Sequence, residues 1–155
     1  MNTRSCKAKG KRLQKNVQIF LLEKYKPLGL VEGDIENAIM GEHGRDIKLS
    51  PAAERLIPYD IECKNTENFN RNSAIQQAEH NTKKGRIPVV VFKRNHSKTY
   101  AIIKESNFNN TEKFQFFTVR TKVFNTWDVL DKCSFIKFYR NDEPYLILEF
   151  KLLFI

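Results

Sequence analysis

Long apolar runs are missing from this chain. Nowhere do its 155 residues approach the roughly 18 consecutive apolar residues of a membrane span. Residues 1–15 are polar and basic, without the apolar stretch of a signal peptide. Cysteine is sparse: Cys6, Cys63 and Cys133 stand far apart, with no CxxC pair. That argues against a disulfide scaffold or a cysteine zinc site and for a reducing, intracellular compartment. His43, His80 and His96 show neither HxxxH nor HxH spacing, so a zinc site is not expected from them either. No GxxxxGK[ST] loop is present, so ATP hydrolysis is not expected. Internal repeats and low-complexity segments are also lacking.

Acids are absent from two stretches. Arg4, Lys7, Lys9, Lys11, Arg12 and Lys15 occupy the first fifteen residues without a carboxylate, and Lys83, Lys84, Arg86, Lys93, Arg94 and Lys98 do the same over 83–98. Across the chain Lys and Arg number 27 against 18 Asp and Glu, a formal charge of +9 that favours a polyanionic partner. A solvated tail accounts for any one of these lysines equally well. Two acid-free clusters together suit phosphate neutralisation, which works by counterion release. Hydrophobic residues make up 41% and include twelve Phe, enough for one core and too many for a disordered chain.

The periodicity predicts a helix over 11–26, with Leu13, Val17, Phe20 and Leu21 on one face and Pro27 and Gly29 at its end. Ile19 and Leu22 fall off that stripe and allow a second apolar contact, such as another subunit. Residues 30–44 read as a loop, with room for a short helix around 34–40. Ile47 and Leu49 alternate with polar residues as a short strand; a turn or a helical turn follows at 51–55, then a longer strand through Ile57, Tyr59, Ile61 and Cys63. Ser73 with Gln76 suggests a capping box opening a helix to about Lys84. Strands are expected over 87–93, 99–104 and 113–120, a short helix capped by Asn125 or Thr126, and a closing hairpin over 134–154. This order predicts an α/β fold with a mixed β-sheet flanked by helices. Three regions are expected in a single domain: a basic flexible tail (1–10), a core (11–104) and a β-rich C-terminal extension (105–155).

Asp46 and Glu62 fall on the two successive strands, about equally far from residue 54. An antiparallel hairpin would set them opposite each other on one face, with Lys64 one step beyond. Alternation turns Cys63 toward the core, which suits a buried structural thiol. Two carboxylates this close repel unless a cation lies between them, and Mg²⁺ suits such a pair. An ordinary polar strand face, with Lys64 paired to one of the acids, fits the spacing equally well.

The set Asp46, Glu62-Cys63-Lys64 resembles the signature of PD-(D/E)XK nucleases. The surrounding pattern extends that resemblance over about Gly10 to Lys104: Met40-Gly41-Glu42-His43-Gly44-Arg45-Asp46-Ile47, Leu49-Ser50-Pro51-Ala52-Ala53, Pro58, Ile61-Glu62-Cys63-Lys64-Asn65, Gln77-Ala78-Glu79 and Val90-Val91-Phe92-Lys93-Arg94-Asn95. It is similar to small phage-encoded endonucleases related to Holliday-junction resolvases. The resemblance implies a restriction-endonuclease-like core and Mg²⁺- or Mn²⁺-dependent hydrolysis of DNA phosphodiesters, by a homodimer acting on branched or junction DNA. It makes Asp46, Glu62 and the backbone carbonyl of Cys63 metal ligands, Lys64 the catalytic lysine, and Ser50 and Gln77 neighbours of the scissile phosphate. Lys7, Lys9, Lys11, Arg12, Lys93 and Arg94 are the expected DNA contacts. In the family a further glutamate often stands on the first helix; Gln14 occupies the nearest position here, and Glu23 lies beyond it. Asp34 is a candidate support for a metal ligand, and His43 a candidate DNA contact. Two competing readings keep part of this picture. One is a non-catalytic nucleic-acid-binding protein that stacks bases on Tyr100, Phe114, Phe116 and Phe117. The other is a sequence-specific restriction-type enzyme.

Overall fold

The computed structural model describes residues 3–39 and 41–155. Its first element, α1 (Thr3–Tyr25), buries Leu13, Val17 and Leu21, one every four residues. A 3₁₀ turn, Lys26–Leu28, containing Pro27, and left-handed Gly29 stop it. The helix starts eight residues earlier than the periodicity predicts, so the basic segment expected to be a flexible tail is helical from Thr3 onward. Lys, Arg and Ala are good helix formers, and extending a nucleated helix needs no new nucleus. Met1 and Asn2 lie outside the described residues.

A strand replaces the short helix expected around 34–40. β1 (Ile35–Asn37) pairs antiparallel with β2 (Ile47–Leu49), in the register Ile35↔Leu49 and Asn37↔Ile47. Ile35 is fully buried, and its carbonyl accepts a 2.7 Å bond from the Gln18 amide on α1. Tertiary contacts thus override the weak local helical preference. Ser50 then caps α2 (Pro51–Leu56), accepting from the Ala53 N–H at 3.1 Å.

β3 (Tyr59–Asn65), α3 (Arg71–Asn81) and β4 (Ile87–Lys93) form a parallel crossover unit. β3 therefore pairs with β4 and not with β2, and the hairpin expected to oppose Asp46 and Glu62 does not form. Asn70, not Ser73, caps α3, with its side chain accepting from the Ser73 N–H at 3.0 Å; the helix ends at Asn81.

β5 (Tyr100–Lys104), β6 (Phe117–Val119), α4 (Thr126–Leu130), β7 (Ile136–Arg140) and β8 (Glu143–Glu149) complete the molecule. One six-stranded mixed sheet results, in the order β3-β4-β5-β8-β7-β6. β8 lies beside β5, so residues 105–155 extend the main sheet through β8, β7 and β6 and do not form a separate appendage. The central strands are buried on both faces. Val89, Val91, Ala101, Leu146 and Leu148 meet α1; Val90, Phe92, Ile102 and Ile147 lie in the cluster that holds α3 and α4. The closing 3₁₀ turn, Phe150–Phe154, sets Phe150 and Phe154 against Phe20 at 5.1 and 5.5 Å between ring centroids. Leu22 also packs on this core, and only Ile19 of the two off-stripe residues is exposed.

Candidate active site at the edge of the sheet

β3 is the outermost strand. The Ile87 N–H donates to the Pro58 carbonyl and the Thr66 N–H to the Lys93 carbonyl, both at 3.0 Å, so even-numbered residues turn their backbone groups toward β4. Those of Ile61 and Cys63 consequently leave the strand on the free edge. Asp46 occupies that edge. Its N–H donates to the Ile61 carbonyl at 3.2 Å, and its Oδ2 accepts from the Cys63 N–H at 2.7 Å. The nine-residue connection from β1 to β2 delivers it there, turning at Gly44, whose φ of 117° is open to glycine at little strain. Asp46 therefore reaches Glu62 across two backbone bonds rather than through a strand ladder.

Glu62 projects from β3 toward α3 and is only 3% exposed. Its carboxylate meets Lys64 Nζ at 2.8 Å and the Asn81 amide at 3.4 Å. Lys64 Nζ donates in turn to Gln77 Oε1 at 2.8 Å. Gln77 and Asn81 are four apart on α3 and so face the same part of β3. Gln14 of α1 hydrogen-bonds to Asp46 from the other side. Asp46, Glu62, Lys64 and Gln77 thus come together, and Gln14 and Asn81 join them. No motif marks Asn81 in the sequence; its four-residue spacing from Gln77 is its one signal.

Burial holds the Asp46 carboxyl above its ordinary value, against the opposing pull of the Cys63 N–H, Lys64 and Gln14. Burial also raises Glu62; the Lys64 hydrogen bond opposes this and the Asp46 charge adds to it. Burial pushes the Cys63 thiol far up, which leaves it protonated and poorly suited to nucleophilic chemistry. The donor set is therefore two buried carboxylates with the Cys63 carbonyl on the same edge, all hard oxygens. That composition fits Mg²⁺ or Mn²⁺, which bind a few carboxylates and keep positions for water and phosphate. Among the described residues no group of three or more His, Cys, Asp or Glu side chains could enclose a metal on its own.

The other buried carboxylate of β3 has a different setting. Asp60 accepts from Arg45 Nη1 at 2.7 Å, Arg86 Nε at 2.6 Å and the Lys83 N–H at 2.9 Å. Arg45 also reaches Glu54 at 3.0 Å, and Arg86 donates to the Ile57 and Tyr59 carbonyls. This network fastens the residue before Asp46 to β3.

The expected DNA contacts divide into three groups. Lys7 and Lys11 share a face of α1 with Gln14 and line, with Asp46, a cleft of about 190 Å³. Lys9, Arg12 and Lys93 line a neighbouring groove of about 240 Å³ with Asn65, Asn95 and His96. Ser50 and most of the 83–98 cluster lie apart from both. Ser50 stands at the far end of β2, its hydroxyl donating to Asp34 at 2.6 Å while capping α2; that bond also occupies Asp34, which does not support the metal ligands. Lys83 pairs with Glu54, Arg86 with Asp60, and Lys98 with Glu149. Arg94 pairs with Asp131 and lies 4.9 Å over the Trp127 ring. The stretch is acid-free in sequence but meets acids in space. Of the aromatics considered for base stacking, Tyr100 is buried, and Phe114 and Phe116 pack against Phe135; Phe117 alone is well exposed. His43 is exposed in the loop before Asp46.

Comparison of the chain with family models, with curated proteins and with solved structures returns no match. Among the described residues no helix is long and apolar enough to cross a membrane.

Proposed function

We propose that the chain is a metal-dependent DNA endonuclease of the PD-(D/E)XK type, with a restriction-endonuclease-like core around β3, α3 and β4. The reading rests on one observation above all: Asp46 and the Glu62-Lys64 pair meet at the sheet edge although no strand ladder joins them. Asp46, Glu62 and the Cys63 carbonyl would hold the Mg²⁺ or Mn²⁺ ion. When bound, that ion would supply Lewis-acid activation of water and charge neutralisation at the phosphate. Lys64 presents a cation beside the two acids, where it offsets negative charge growing on phosphate oxygens or orients the attacking water. Gln77 holds the Lys64 ammonium in place, and Gln14 holds the Asp46 carboxyl. Lys7 and Lys11 on one side, and Lys9, Arg12 and Lys93 on the other, draw the backbone across the edge. None of these groups forms an element that reads base edges, which suits recognition of shape, as in branched or junction DNA. Symmetric cleavage of a four-way junction would take two copies of the chain.

A plasmid-nicking assay tests the activity, with four-way, flap and linear duplex DNA compared beside it. Cleavage should appear with Mg²⁺ or Mn²⁺, vanish with EDTA, and vanish in Asp46→Asn and in Glu62→Gln with the fold retained. Near wild-type cutting by either variant would overturn the ligand assignment. Uniform absence of cutting in both metals, with DNA still bound, would favour the non-catalytic binding protein. Discrete fragments from linear duplex would favour the restriction-type enzyme.

A further inference from the structure

A second cationic surface lies at the opposite end of the sheet, where β6 and β7 form the other edge. Residues 113–127 contain no acid. Arg120 and Lys122 extend from the end of β6, are exposed, and carry no carboxylate partner among the described residues. On β7, Lys137 and Tyr139 alternate with buried Ile136 and Phe138 and so project from the other face, where Tyr139 is 48% exposed. With Thr118, Arg140 and Asp142 these residues border a concave surface of about 790 Å³. Lys137 and Arg140 are held by Glu105 and Glu79 respectively, which fixes their positions at the rim.

What lies beneath this surface adds to its charge. Arg71, at the start of α3, is 8% exposed and has no carboxylate partner among the described residues. Its guanidinium donates to the Phe124 carbonyl at 2.7 Å and the Lys122 carbonyl at 3.1 Å, and it lies 3.5 Å from the Phe124 ring centroid. A buried cation of this kind anchors the loop that carries Arg120 and Lys122 and leaves its own charge largely uncompensated.

We propose that this surface is a second phosphate-binding site, which takes the backbone of a duplex arm leading away from the Asp46–Glu62 edge. The proposal rests on the nucleic-acid reading above. The sheet order sets the spacing: at about 4.8 Å per strand, β7 and β6 lie about 19 and 24 Å from β3. At about 3.4 Å per base pair, that span covers six or seven base pairs of arm. The charge complements phosphate, and the lack of a groove-entering element again fits backbone contact.

The test is equilibrium binding without catalytic metal, on uncleaved four-way junctions with arms of about twelve or about four base pairs. Wild type should bind the long-armed junction more tightly. In Arg120→Gln/Lys122→Gln, two exposed changes that leave the core untouched, that advantage should shrink, and the salt slope on long arms should fall by about two. Raising salt from about 50 to about 200 mM would then weaken the wild type about tenfold more than the variant. Equal slopes for the two proteins, or an equal affinity of wild type for long and short arms, would overturn the second site while leaving the proposed cleavage intact. Loss of the long-arm advantage on Tyr139→Ala alone would overturn the duplex assignment in favour of a stacked single strand. Because no cutting is measured, failure of the nuclease reading registers separately, in the nicking assay.

Discussion

Under the proposed function Asp60 and Glu62, two residues apart on β3 and about equally buried, take opposite roles. Replacing Asp60 by Asn removes the one charge that faces two guanidiniums, each only 11% exposed. It also puts an amide where the carboxylate accepted from the Lys83 N–H. Breaking a buried pair by deleting one partner costs about 3–5 kcal/mol. Arg45 keeps Glu54 and Arg86 keeps two carbonyls, so the lower end, about 3 kcal/mol, applies. For a chain of this length that corresponds to a melting temperature about 9 °C lower. Glu62→Gln gives up only a partly exposed lysine pair, at most about 1 kcal/mol, and relieves a buried charge of its repulsion from Asp46. Its melting temperature in chelator, near neutral pH, should equal or exceed that of wild type. Thermal unfolding followed by circular dichroism measures both. Equal losses in the two variants, or a loss under about 3 °C for Asp60→Asn, would refute the division into a structural and a functional acid.

Two further outcomes follow from the same charges. Asp46 and Glu62 have folded-state values raised above their ordinary ones, so the stability they contribute is present below the ordinary carboxylate range and lost as pH rises through the raised values. In chelator, wild type should therefore lose stability relative to Asp46→Asn/Glu62→Gln as pH rises from mildly acidic to neutral; a constant difference between the melting curves would contradict this. Lys64→Ala should slow single-turnover cleavage of bound DNA by roughly a hundredfold, while the dissociation constant in Ca²⁺ barely moves. Weakened binding with an unaltered rate would make Lys64 a mere surface partner of Glu62.

Much of the main sheet was legible because its strands carry strong local signals. The Val-rich run 87–93 and the hairpin expected over 134–154 announce themselves by β-branched content and alternation; the first appears at its expected bounds, and the second ends at Glu149, where a 3₁₀ turn takes over. Asn125 caps α4 as its position suggests, its side chain accepting from the Trp127 and Asp128 N–H groups. Pairing was harder to read. Short strands such as β2 have three residues and no register of their own, and what claims β2 is Ile35, buried beneath α1. Likewise nothing local marks β8 as the neighbour of β5; that choice depends on contacts 40 or more residues apart in the chain. Charge was legible in amount but not in availability. Arg86, Arg94 and Lys98 look free in sequence because their partners Asp60, Asp131 and Glu149 come from distant segments.

Asp46 and Glu62 come together despite the incorrect register, for a physical reason. A hairpin would have set Asp46 against Glu62 through a row of ladder bonds, and a slip by one residue would have separated them. In the fold, the same proximity comes from Asp46 itself acting as a one-residue strand partner: its N–H and its carboxylate both bond to β3, flanking Glu62 on either side. The neighbouring Arg45 adds an ion pair to Asp60, two residues from Glu62 along the same strand. Bonds made by the backbone and by Arg45 thus hold together two carboxylates that burial and mutual repulsion would otherwise drive apart. Such an arrangement is unfavourable for a metal-free protein and useful for one that binds a cation. Burial raises the carboxyls of Asp46 and Glu62, and the satisfied network at Asp60 lies next to them. That placement is the ground for assigning the proposed chemistry to the edge of β3.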